Sequence, residues 1–180
     1  PGFTRSRLDP RLDLGLPLKD GFTVAREALS RRHEAIAEGK AQPSMRILLK
    51  ERHTRVLKDG SQVHRAHQIL ELLDNGALER FGELPLPADA QVLVARTYKP
   101  TPDGRLQPIE PEQIPEKTSL SLPALTVGSI IEAAWTWQTP PPTRQGTHWV
   151  LEPFFFDSYS GPVREARLTI RTTPNSTYQV

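Results

Sequence analysis

Apolar positions Phe22, Ala25, Leu29 and Ile36 recur near helical spacing between Asp20, which suits an N-cap, and Gly39 with Pro43, which suit a stop. This pattern predicts one amphipathic helix over residues 22–38. Arg26, Glu27, Arg31, Arg32 and Glu34 fall on its other face, where solvent is expected. From Met45 the period changes to two. The runs 45–57 and 62–73 flank Lys58-Asp59-Gly60-Ser61, and an Asp-Gly pair between strand-like runs predicts a hairpin. With Asp59 and Gly60 as the loop, Val56 faces Val63, His53 faces Ala66, Leu49 faces Leu70 and Ile47 faces Leu72. The middle of this ribbon, from Lys50 to His53 and from His64 to His67, is polar on both faces, which predicts that it projects or lies at a sheet edge.

Further along, Asn75 to Phe81 reads as a short helical turn ended by Gly82 and Pro85. Gln91 to Tyr98 alternates as a strand, and Thr101-Pro102-Asp103-Gly104 supplies the next turn. Residues 109–117 form a proline-broken connection. Strands are then expected over 120–125, 129–138, 148–156 and 163–172, with an exposed proline-rich link at 140–146. Short strands separated by turn signals predict a mainly β fold, an antiparallel β-sandwich or open-barrel-like arrangement with one N-terminal amphipathic helix. Residues 1–42 are read as an arm and helix, and residues 43–180 as the sandwich, open to continuation past Val180.

Composition narrows the function classes. No cysteine is present, so disulfides, thiolate metal sites and a cysteine nucleophile are excluded within the chain. A formal charge of +2 gives no argument for nucleic acid, although the sequence pI is about 9.2. No apolar run approaches a membrane span of ~20 residues. The chain starts on Pro1 without a signal-peptide pattern, which reads as a segment of something longer.

Five motifs carry a family likeness: Lys58-Asp59-Gly60-Ser61, Arg80-Phe81-Gly82-Glu83 with Pro85, Gln91 to Thr97, Pro102-Asp103-Gly104-Arg105, and Leu122-Pro123-Ala124-Leu125 leading into Gly128 to Glu132. In this order they resemble a bacterial domain of unknown function found N-terminal to transglutaminase-like domains, often in exported proteins. The resemblance runs from about Ile47 onward. It implies an all-β sandwich without agreed activity of its own, a periplasmic or cell-envelope location, and catalysis by a neighbouring domain.

Trp135 and Trp137 lie two apart on one strand and share a face, with Trp149 expected to approach from the next strand. They either fill the core or form a platform for sugar rings or a peptide. Phe155 points opposite to Phe154 and Phe156 in an extended run, so one side of this triplet is the best sequence hint of a partner surface. His64 and His67, three apart on a strand, face opposite ways and cannot easily share a metal ion. Glu132 reads as a salt-bridge partner rather than a catalytic acid, and no nucleophile-elbow, zinc-helix or phosphate-loop motif is present. Arg46, Lys50, Arg52, Arg55 and Arg65 read as a solvated edge; contact with an anionic lipid surface is the alternative. The expectation is a non-enzymatic accessory or interaction domain of a larger exported bacterial protein, without cofactor, partnered by a neighbouring domain or protein. The alternative is a carbohydrate- or peptide-binding module, with Trp135, Trp137, Trp149 and Phe155 as its surface.

Overall fold

A computed structural model describes residues 12–111, 119–142 and 150–172. The order is helix α1 (Gly21–Ala37), strands β1 (Met45–Val56) and β2 (Gln62–Leu72), helix α2 (Asn75–Phe81), then β3 (Glu83–Pro85), β4 (Gln91–Pro100), β5 (Leu106–Ile109), β6 (Ser119–Ser121), β7 (Ile130–Thr139) and β8 (Ala166–Arg171). A six-stranded sheet runs β5-β4-β7-β2-β1-β8, and β3 with β6 makes a separate two-stranded ribbon. The mainly β expectation stands, but the sheet is mixed, because β8 pairs parallel to β1. It is open rather than closed into a barrel. Its two faces are covered by a helix and by a small ribbon, where two large packed sheets were expected.

The α1 start is as the sequence implies: the Asp20 side chain accepts from the Phe22 amide at 3.2 Å. Its end is a Schellman turn, with Lys40 N–H on the Ala35 carbonyl, Gly39 N–H on that of Ile36, and Gly39 at φ 66°. The buried stripe is Gly21, Val24, Ala25, Ala28, Leu29 and Arg32, of which Val24, Ala25 and Ala28 pack with Leu48, Leu49, Ile69, Tyr98 and Ile130. Burying Val24 and Leu29 contributes about 2 kcal/mol each. Arg32 is therefore not solvated as predicted. Its Nη1 donates to the Gly128 carbonyl at 3.0 Å and lies 3.4 Å from the buried Glu71 carboxylate. The preceding chain lies on this helix face too, with Leu12 and Leu14 packed on Val63.

On the opposite face, α2 and the β3–β6 ribbon cover one end of the sheet, bringing Ala77, Leu84, Leu120 and Leu122 onto Leu70, Leu72 and Ile131. The short helix and the Thr101–Gly104 turn fall where the sequence puts them, with Gly104 at φ 78°. Residues 150–156 form no strand. Pro153 lacks a ladder donor, and the segment's carbonyls turn toward β1: Lys50 Nζ donates to Phe155 O at 2.8 Å.

The hairpin register differs from the expected one. Leu57 N–H bonds to Ser61 O and Gly60 N–H to Leu57 O, so the loop is Lys58-Asp59-Gly60, with Gly60 at φ 85°. The Asp59 carboxylate accepts from both the Ser61 amide and hydroxyl. The extra loop residue moves the outer pairing by one, so Val56 faces Gln62 and His53 faces Arg65. A bulge between Ile47 and Leu49 moves the inner pairing by one more, so Ile47 faces Leu70. The ribbon is neither projecting nor at an edge; β2 sits between β1 and β7, and β1 between β2 and β8.

Gly21 tests how tightly α1 docks. A Cβ there would fall 2.2–2.4 Å from the carboxyl atoms of Glu132, and moving that group aside would break its bonds to His67 and Tyr98. Gly21→Ala is expected to cost about 2 kcal/mol by overpacking, despite alanine's better helix propensity. The check is a urea midpoint that falls at unchanged slope; a rise in midpoint would show that the helix start is loosely held.

Candidate functional site

Two groupings of polar side chains stand out, one on each face of the sheet. Under α1, the corrected register sets Glu51 opposite His67. His67 is fully buried, its Nε2 donating to Glu132 Oε1 at 3.0 Å and its Nδ1 lying 3.8 Å from Glu51 Oε2, an ion-pair rather than hydrogen-bond distance. Tyr98 Oη donates to Glu132 Oε2 at 2.6 Å. Arg167 reaches Glu51 Oε1 at 3.4 Å, and His53 lies 4.0 Å from Oε2. Burial disfavours the His67 imidazolium, but the two carboxylates outweigh it and raise its pKa. The His67 imidazole in turn holds the Glu51 carboxyl below its ordinary value, against the opposite pull of burial. Burial, followed by the Glu132 carboxylate, pushes the Tyr98 phenol well up. Burial and then the Arg65 charge lower the His53 pKa, and burial raises that of Glu71 in spite of Arg32 and Arg46.

This grouping has the residue types of an acid–base site, yet its side chains bond one another beneath a helix. Its work is to join β1, β2, β4, β7 and β8 under α1. Among the described residues no group of three or more His, Cys, Asp or Glu is placed to hold a metal ion. His64 faces the other way, as its spacing from His67 implies. Its ring nitrogens sit 3.0 Å from Thr54 Oγ1 and 3.0 Å from Thr139 Oγ1, and the ring stacks on Trp137 at 4.8 Å.

The open face holds a cleft of about 400 Å³ at the end that α2 and the ribbon leave bare. Its floor is Lys50 and Arg52 of β1, Ala66 and Gln68 of β2, and Trp135 and Trp137 of β7; its walls are residues 85–87 and 152–155. Trp135 and Trp137 do share this face, but they are only 8% and 6% exposed. Phe155, by contrast, is 69% exposed at the rim, beside the edge-to-face pair Phe154 and Phe156. Trp149 lies outside the described residues. The cations expected to be a solvated edge are instead anchors. Arg52 sits 5.9 Å from the rings of both Trp137 and Phe154 and 3.4 Å from Glu152 Oε2, and Arg65 is buried against the Leu16 carbonyl. Lys50, Arg52 and Gln68 are floor residues that no motif marks along the chain, although the i, i+2 spacing of the two cations already puts them on one face of a strand.

The His67 cluster gives a pH signature. Because the folded-state pKa of His67 is raised, its stabilisation is complete below the unfolded value of about 6.5 and is lost as pH rises through the folded value. Glu51 acts at the other end, stabilising above its unfolded value and losing that contribution as pH falls through its lowered folded value. His67→Gln is expected to lower stability at pH 6 and to flatten the decline from about pH 6 to pH 9, measured by urea midpoints across that range. An unchanged slope in the variant would assign the decline to other groups.

Comparison with known proteins agrees with this architecture. No curated protein matches the chain. A solved structure from Parabacteroides distasonis, described as that of a candidate protease, superposes with a TM-score of 0.55 at 17% identity over 74% of this chain. The likeness is one of fold, and this chain covers 30% of that protein's length. A profile for a domain of unknown function, DUF3857, matches residues 58–180, from the β1–β2 turn onward. The chain belongs to the DUF3857 family.

Proposed function

We propose that this chain is a non-catalytic accessory domain of a larger exported bacterial protein, acting by contact on a transglutaminase- or protease-like neighbour in the periplasm or cell envelope. The observation that carries the reading is the aromatic segment bordering the cleft, where Phe155 and Phe156 are 69% and 59% exposed and Tyr159 lies open to solvent. Exposed aromatic groups at one rim suit burial against another protein surface. The similarity of fold to part of a much longer candidate protease supports a modular setting. The internal bonding of His67, Glu132 and Tyr98 supports a structural use for the strongest acid–base grouping. A second reading, a carbohydrate- or peptide-binding module, is favoured by the cleft floored by Trp135 and Trp137.

The test combines turnover with association. The 180-residue chain alone is expected to cleave no casein and to join no amine to a glutamine peptide. Mixed with the catalytic domain of the same polypeptide it should form a complex that Phe155→Asp weakens about tenfold or more, as expected for an interface anchor. Turnover by the chain alone, or a complex indifferent to Phe155→Asp, would sink the proposal.

A further inference from the structure

We infer that the cleft on the open face takes an extended peptide segment bearing a carboxylate. This rests on the contact-domain reading above and names what its surface holds. Charge is the first argument. Lys50 and Arg52 both face the cleft, and the carboxylate that answers them within its walls is that of Glu152, on Arg52. Glu51 lies between them in sequence but points to the helix face, where His67 and Arg167 engage it. The Lys50 ammonium bonds to the Phe155 carbonyl, and no carboxylate among the described residues is within ion-pair distance of it. Burial and then the Arg52 charge lower the Lys50 pKa, with the Asp157 carboxylate acting in the opposite direction.

The floor separates a peptide from a sugar or a simple anion. Trp137 already stacks on His64 and carries the Arg52 guanidinium, so its ring is engaged rather than free as a sugar platform. Trp135 lines the cleft with a buried indole N–H that has no acceptor, an unfavourable state for a buried donor. Gln68, on the same floor, offers an amide with both a donor and an acceptor. An extended peptide presents alternating carbonyl and N–H groups, which match the donors and the Gln68 carbonyl together; an inorganic anion accepts from the donors but offers no N–H to that carbonyl. The volume falls within the range of about 300–1,000 Å³ usual for ligand sites.

The experiment titrates the 180-residue chain, by calorimetry and tryptophan fluorescence, with acetyl-Ala-Val-Ala-Glu-amide, its glutamine counterpart, glutarate and chitotetraose. The glutamate peptide should saturate and bind about tenfold more tightly than the glutamine peptide, the factor for one charge-assisted hydrogen bond. Lys50→Gln should erase that difference, Lys58→Gln on the exposed hairpin turn should preserve it, and Trp135→Phe should weaken both peptides about fivefold. The inference is overturned by no saturation at millimolar peptide, by equal binding of the two peptides, by glutarate matching the glutamate peptide, or by binding of chitotetraose alone. Failure here leaves the Phe155-dependent association with a catalytic domain intact, so the two readings fail separately.

Discussion

The contact on which the helix face depends is an imidazole held between two buried carboxylates. Each of Glu51 and Glu132 would be costly to bury alone, and His67 makes their burial tolerable only while its two nitrogens stay aligned with both. That alignment fixes how β1, β2 and β7 lie against one another. It also leaves room for the first turn of α1 only because Gly21 has no side chain. Packing of apolar groups supplies most of the stabilisation on this face, but it tolerates sliding; the ionic cluster does not.

The opposite face obeys a different constraint. Here the sheet is covered only in part, and the segment from Glu152 to Phe155 crosses β1 without joining it. Two cations hold it by its carbonyls and rings. A strand in that place would have closed the cleft with a ladder of backbone bonds. Attachment through Lys50 and Arg52 leaves a space with one spare positive charge and a rim of aromatic groups. The same chain thus has one face closed by buried charge and one kept open by half-buried charge.

Much of the architecture was legible because it is local. The Asp20 cap, the Gly39 stop, the short helix after Asp74 and the strands around the Pro102-Asp103-Gly104 turn all follow from signals within a few residues. What escaped depends on distant or stereochemical detail. Taking Asp59-Gly60 as a two-residue loop misplaced the register, whereas a type I turn closed by a left-handed glycine makes three. That single residue decides whether Glu51 meets Gln68 or His67, so the principal ionic cluster was invisible. The Ile47–Leu49 bulge, the burial of Arg32 against Gly128, and the meeting of Glu132 with His67 across β2 and β7 have no signature along the chain. For the cleft, the shared face of Trp135 and Trp137 was readable, while its walls come from segments far away in sequence.

The parallel pairing of β1 with β8 carries a consequence for how the protein is made. Lys50 meets Ala166 and Arg55 meets Arg171, so β1 acquires its second neighbour only after β2 to β7 have left the ribosome. Until then β1 presents an unpaired edge to everything around it, the arrangement most prone to joining the strand of another molecule. Its unbroken polar run from Lys50 to Arg55 makes it a poor template for such strangers during that interval. The charges that later anchor the cleft and feed the buried cluster have therefore already served as a guard on the nascent chain.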